Sequence, residues 1–549
     1  MKYAKKALCL ILIIVMMIPF TSCKSKDLTG KTIYYPLESD PVQLDPQIAS
    51  SYSSRVVLQN IFEGLTRIDK NNQVVSGVAA KWTVSDDKLK YTFYLRRDAY
   101  WIDDEGIVYE SVTAHDFVFA IMRALDPETG SPMVNQLFCI KNAMAYNKGE
   151  ELIQSVGVNA VDDYTLEITL ESECDLPRVV SNPVFYPCNE VFFGKCAGGY
   201  GLEPDKLLYN GPFRIRIWDH ENFIRLNYAS QYKGYNVPLP ASIILDMKAT
   251  EVAADIPEEQ IPSYSKRLAD ALNKDVIDAS PVTLEQYNML SKDKFNLVEF
   301  SDTTWVLCLN NNTKFSSYEL RSAFTGSIDK DMLDSKAPDM FYTANAIIPP
   351  ASNIYGKSVR DKENQTLPEK DEKKARETLE EYMKQNEYSV PPNVNLYFPE
   401  DEQMKKALTT LYASWQQSLG VYINLSSLPL EELIKKVETG DFDMAIIPVR
   451  GKDETPESLL SMFMEESSEN FCGFKSEIYD DLVKNMTMKP EEEQRQNTLE
   501  AEQMLINSSI IYPLFYEKRL FVYSKKISGI IYKPFDAGVD FISTGKDTD

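Results

Sequence analysis

The chain has 549 residues, 44% hydrophobic and 11% aromatic, which is enough to build a large core divided over two or three domains. Its formal charge of −24 would be repelled by phosphate backbones, so nucleic acid is disfavoured as a partner. Eight cysteines are present without a CxxC pair, which removes support for zinc and thioredoxin-like redox sites.

The first segment, MKYAKKALCLILIIVMMIPFTSC, runs from basic Lys2, Lys5 and Lys6 through apolar Ala7 to Ile18 to small residues before Cys23. That order predicts a secretory signal over 1–22. The apolar run is shorter than the ~20 residues a membrane-spanning helix needs. The cysteine at the cleavage point resembles a bacterial lipobox, with Phe20 where Leu is favoured, so Cys23 is expected to carry lipid. Residues 23–31 then read as a lipidated tether, which at ~3.5 Å per residue keeps the body within about 30 Å of the membrane. The chain beyond it is expected at the outer face of the cell membrane, on the periplasmic side if the cell has two membranes.

A strand is predicted from Ile33 to Tyr35. Val57, Leu58, Ile61, Phe62 and Leu65 have helical spacing over Ser53 to Leu65. Leu89, Tyr91, Phe93 and Leu95 alternate as in a half-buried strand. A helix over Val112 to Leu125 should bury Phe117, Val118, Ile121, Met122 and Leu125, with Thr113 and Asp116 as a capping box and Asp126-Pro127 as its stop. Tyr164, Leu166, Ile168 and Leu170 alternate again, and Phe213 to Ile217 with Ile224 to Tyr228 predicts a hairpin. Further on, strands at Val394 to Phe398, Val421 to Leu425 and Phe442 to Ile447 alternate with helices at Glu402 to Leu419 and Leu430 to Val437. Gly420 ends the first of these helices. This β-α-β-α-β order predicts parallel strands with right-handed crossovers, and a ligand beyond their carboxyl ends, at the loops starting at Pro399 and Pro448. Asp255 to Pro262 and Tyr355 to Lys370 read as surface insertions.

Catalytic constellations are absent. There are two histidines, His115 and His220, and no GxSxG, HExxH or GxxxxGK[ST]. The 82 carboxylates favour no single pair. No enzyme, metal or cofactor is expected. An exported location permits disulfides. Cys188 and Cys196 either pair or remain buried thiols, and spacing does not decide.

The chain resembles the family 5 extracellular solute-binding proteins of ABC importers, which include oligopeptide- and dipeptide-binding proteins. The likeness runs in order through LDPQ at Leu44, IFEGL at Ile61, GVAAKW at Gly77, YTFYLRRDAYW at Tyr91 and VTAHDFVFAIMRALDPETGSP at Val112. It continues through NGPFRI at Asn210, LNNNTKF at Leu309, LRSAFTGSIDKDML at Leu320 and LYASWQQSLGVYINL at Leu411. It implies a periplasmic-binding-protein-like α/β fold of the class II type: two α/β lobes around a ligand cleft plus a third domain. One lobe would combine 28–62, 208–300 and 516–549; the extra domain would be 63–207 and the second lobe 301–515.

The implied function is capture of a peptide or peptide-like solute by lobe closure, and delivery to ABC permease subunits by a monomer. Alternatives on the same fold are a non-peptide solute (an oligosaccharide, a metal chelate or an anionic solute) and a peptide-signal receptor; a surface hydrolase is the reading from another class. Peptide-binding relatives carry Trp and Asp in the loop after the strand ending near Ile447, and the Asp holds the peptide amine. Here the loop is PVRGKDETP. Either Asp453 holds an amine, or Lys452 and Arg450 favour an anion. Val449 belongs to the same loop. Ser50, Ser51 and Tyr52 are expected to offer backbone hydrogen bonds to an extended ligand. Trp305 either lines the cleft or packs in the core. The family's WSDG turn is replaced by WIDDEGIVYES from Trp101.

Overall fold

The computed structural model describes residues 31–234, 240–251, 262–360, 367–484 and 486–547. The expected signal, Cys23, most of the tether, and nearly all of the Asp255 to Pro262 insertion lie outside the described residues.

Three larger sheets organise the chain. The first has the order Thr32–Pro36, Ser242–Asp246, Phe223–Tyr228, Phe213–Asp219. Its first pair is parallel and the other two are antiparallel, so the predicted strand at Ile33 and the predicted hairpin share one sheet. The second has the order Ala79–Val84, Lys90–Leu95, Thr165–Thr169, Val158–Asp162, and both alternating segments read from the sequence lie at its centre. The helix Ala114–Leu125 packs on it. Its buried stripe is Phe117, Ala120, Ile121, Ala124 and Leu125, while Val118 and Met122 are half-buried at its edge. Asp116 accepts the Thr113 backbone N–H at 2.7 Å, as a capping box requires.

The third sheet is seven-stranded, with the main order Ala279–Val282, Ile511–Ser524, Phe295–Leu309, Met444–Val449, Val394–Pro399, Ile423–Leu428. Val394–Pro399 pairs parallel with both neighbours, as the alternating elements predicted. The helix Glu402–Leu419 has the predicted bounds and stops at Gly420, whose φ of 68° is left-handed and suits a residue without Cβ. The other two parallel strands start and end a few residues later than expected.

The two longest strands were not anticipated. Phe295–Leu309 and Ile511–Ser524 pair antiparallel from Phe295↔Ser524 to Cys308↔Ile511, with register slips between Phe300 and Thr303 and between Trp305 and Val306. The start of Phe295–Leu309 and the end of Ile511–Ser524 join a core of Leu268, Leu272, Phe295, Leu520 and Val522. The end of Phe295–Leu309 and the start of Ile511–Ser524 lie between two others, one around Leu307, Trp415 and Phe515 and one around Val306, Ile447 and Ile511. From Ser301 to Leu309 every residue is buried, so no period-2 alternation marks the strand.

The predicted Ser53 to Leu65 helix ends earlier, as Tyr52–Ile61. Asn210 takes the chain over there: it accepts the Glu63 N–H at 3.0 Å and donates to the Glu63 carbonyl at 2.8 Å. A Cβ on Gly211 would stand 2.6 Å from the Ile61 and Phe62 backbone, so only glycine lets these segments meet. Other recurring motifs also knit the fold. Asp45 of LDPQ holds Arg123 in a bidentate pair at 2.7 and 2.6 Å, and Arg321 bonds Asn311 at 2.9 Å. The insertion expected at Tyr355 to Lys370 follows Asn353–Ile354, which pairs with Lys357–Ser358, and Ile354 and Val359 are buried in a core.

Cys308 and Cys472 form a disulfide, with Cα atoms 6.2 Å apart. Cys188 and Cys196 are free and buried. Among the described residues no helix is long and apolar enough to cross a membrane.

Candidate functional site

Three distant segments converge on one seam: the start of the Tyr52–Ile61 helix, the loop after Met444–Val449, and a C-terminal hairpin of Ile531–Lys533 with Gly538–Asp540. At the helix start, Ser51 is the N-cap. Its Oγ accepts the Ser54 N–H at 3.1 Å and donates to Ser54 Oγ at 2.8 Å, so that side chain is committed to the helix. Ser50 is exposed, and its carbonyl accepts from Arg55 at 2.8 Å. The Tyr52 hydroxyl shares a 2.7 Å hydrogen bond with the Tyr35 hydroxyl, and burial raises the pKa of both.

Arg450 is the hub of the loop. One Nη donates to Asp302 at 2.9 Å and the other to Asp536 at 2.6 Å, and its guanidinium lies 5.9 Å from the Phe535 ring centroid. Asp302 is fully buried at the first register slip of the long strands and also accepts the Phe535 N–H at 2.8 Å. Asp536 takes a second cation, Arg519, at 3.4 Å. One arginine thus ties the loop after Met444–Val449 and the long strand Phe295–Leu309 to the C-terminal hairpin. The charge that could have met an anionic ligand is already matched by two carboxylates.

The rest of the loop is folded on itself. Asp453 Oδ1 accepts the Thr455 N–H at 2.8 Å and the Thr455 hydroxyl at 2.5 Å, and Thr455 caps the helix Pro456–Leu460. Lys452 is exposed and pairs with Glu469 at 3.4 Å, and Val449 is buried and paired with Thr304. Trp305 is 7% exposed and stands in a core, donating Nε1 to Glu517 at 2.9 Å and meeting Phe341 edge-to-face. The seam therefore unites Ser50, Ser51 and Tyr52 with Arg450 and Asp453, while Lys452 points to Glu469 and Trp305 lies within the second-half core.

Further side chains bridge the seam that the sequence did not single out. Arg178 donates to Glu454 at 3.3 Å and to Asn72 at 3.0 Å, and Asn72 donates to the Gly356 carbonyl at 3.2 Å. Arg55 faces Asp536, Arg450 and Asp453, and burial lowers its pKa. Beside the seam, a cavity of about 350 Å³ lies between the Thr66–Ile68 hairpin and residues 528–543, walled in part by Arg67 and Asp540, which pair at 2.7 Å. A cavity of that size falls in the range of small-molecule sites. The histidines lie elsewhere: His115 is 3.6 Å from Asp163, and His220 sits between Asp40 and Glu203.

An α/β chain whose separate cores meet at a polar seam, joined by two long strands, is the form of a solute-binding protein. Residues 73–471 match the bacterial extracellular solute-binding proteins, family 5 Middle, and the chain belongs to that family. It is 27% identical over 515 residues to the dipeptide-binding protein DppE of Bacillus subtilis, covering 93% of this chain and 91% of the relative. It is 24% identical to the probable deoxycholate-binding periplasmic protein YgiS of Escherichia coli, covering 91% of each. Among solved structures it is similar to the substrate-binding domain of an oligopeptide ABC transporter from Bacillus anthracis. There the TM-score is 0.67 and the identity 27%, over 95% of this chain and all of that one.

Proposed function

We propose that this chain is the substrate-binding component of an ABC importer, held at the outer face of the membrane by lipid on Cys23, and that it captures a peptide or peptide-like solute. The observation that carries the reading is the end-to-end alignment with a dipeptide-binding relative. The lobes are residues 28–62, 208–300 and 516–549 on one side and 301–515 on the other, with 63–207 as the extra domain. Their expected junctions fall inside the two long strands, next to the slip at Ser301 and Asp302. A bulge there is the natural place for hinge bending. Ligand entry breaks the Arg178–Glu454 bridge, and closure over the ligand presents one form to the permease.

Within the seam, backbone groups at Ser50 to Tyr52 pair with an extended ligand as an added strand. Asp453 keeps its second oxygen for a ligand amine. No bond of the ligand is broken. The test is thermal denaturation with and without an equimolar library of free-amine di- to pentapeptides: binding to the folded state raises the midpoint. A second reading, a non-peptide anionic solute on the same fold, draws on the probable deoxycholate-binding periplasmic protein among the relatives and on the missing loop aromatic. A midpoint raised by bile acids and not by peptides would select it.

A further inference from the structure

Lys533 is a charged group of the seam that has no matching partner among the described residues. It ends the first strand of the C-terminal hairpin, paired with Gly538, and lines a small cavity with Gln59, Thr66, Arg67, Tyr186 and Asp540. Its ammonium makes no hydrogen bond or ion pair among the described residues. The carboxylates that face it are already taken, since Asp540 is paired with Arg67 at 2.7 Å and Glu454 with Arg178 at 3.3 Å. Each of these anions is accompanied by an arginine that also faces Lys533, so their fields largely cancel there. Desolvation lowers the lysine's pKa, as expected of a half-buried ammonium without a counter-charge of its own.

The cavity wall is short of partners as well. Gln59 Oε1 is buried without a hydrogen bond, and the hydroxyl of Tyr186, which lines the same cavity, has none among the described residues. An ammonium, a hydroxyl and a buried amide oxygen left unpaired around one half-buried space do not serve stability, because a polar group drawn away from water costs free energy until it is matched. A water would satisfy hydrogen bonds and leave the charge.

We infer that Lys533 anchors a carboxylate of the ligand, so that the bound solute is fixed by an anionic end at the C-terminal hairpin. This rests on the reading of the seam as the ligand site. Lys533 donates to the carboxylate, and the Tyr186 hydroxyl is placed to donate to the same group. In this form the cavity is about 10 Å³, room for one water, so the carboxylate displaces that water and the flexible lysine stem moves to admit it.

The experiment compares wild type with Lys533→Met and Lys533→Arg by calorimetric titration. The probes are an equimolar library of free-amine tripeptide acids, the same library as C-terminal amides, and sodium phosphate. The expected result is that wild type and Lys533→Arg favour the acids by about tenfold or more, the scale of one charge-assisted hydrogen bond, and that Lys533→Met has no preference. The thermal midpoint of ligand-free Lys533→Met should equal or exceed that of wild type, whereas a lysine that merely supports the fold would lower it. Acids and amides bound equally by wild type, or a preference kept by Lys533→Met, overturns the inference alone. Phosphate binding that Lys533→Met abolishes without altering the peptide preference also overturns it. Wild type that binds neither the acids nor the amides overturns the peptide reading, and this inference with it.

Discussion

The Cys308–Cys472 disulfide closes a loop of 164 residues, and its removal should cost stability that can be worked from that length. In the chain-entropy account, a loop of this size removes about 5 kcal/mol of freedom from the unfolded chain at 25 °C. The folded state has little to lose beyond the bond itself. The Asn311 N–H still donates to the Cys472 carbonyl at 2.9 Å and its side-chain amide to the Gly473 carbonyl at 3.0 Å, and both sulfurs lie in a packed core. A Cys308→Ala/Cys472→Ala double variant should therefore fold, bind ligand as wild type does, and unfold earlier. The drop is on the order of 10 °C in differential scanning calorimetry if each kcal/mol moves a large domain by ~2–4 °C. Thiol titration of the unfolded, unreduced protein should find Cys139, Cys174, Cys188 and Cys196 reactive and Cys308 and Cys472 not. Equal midpoints for wild type and the double variant would refute the argument, as would reactive thiols at Cys308 and Cys472.

Arg450→Ala strips the buried Asp302 of its cation and should cost about 3 kcal/mol in urea denaturation, with recovery when Asp302→Asn is added; no recovery would mean that the pair is not coupled. Asn210→Ala leaves the Glu63 N–H and carbonyl unpaired in the interior and should cost ~2–4 kcal/mol by the same measurement, against almost nothing if water replaces the amide. Asp116 has a pKa raised by burial from 3.8 to about 6, so between those values the folded state holds a proton that the unfolded chain has released. Its contribution to stability is thus present below about pH 4 and lost as pH rises through 6. The loss is about 3 kcal/mol, and Asp116→Asn should remove that part of the pH slope in urea midpoints taken from pH 4 to 7.

What the sequence could reveal follows from how local each signal is. The Glu402–Leu419 helix and its glycine stop are written in consecutive residues, and so is the capping box of Thr113 and Asp116. The motifs that carry the family likeness proved to be places where the fold is tied together: Asp45 with Arg123, Asn210 and Gly211 with the end of the Tyr52–Ile61 helix, Arg321 with Asn311. The long strands were hidden because burial on both faces erases alternation from Ser301 onward. The site was legible only as an unusual loop. Arg450 meets partners 148 and 86 positions away, and Lys533 is defined by what surrounds it, which spacing along a chain cannot encode.

The most direct test of a peptide-capturing receptor is native mass spectrometry of the protein purified gently from the cells that make it, followed by sequencing of whatever leaves on unfolding. The account predicts a one-to-one adduct that resolves into short peptides carrying free carboxylates. A bound sugar, bile acid or metal chelate in their place, on a protein that peptides do not displace it from, would contradict it.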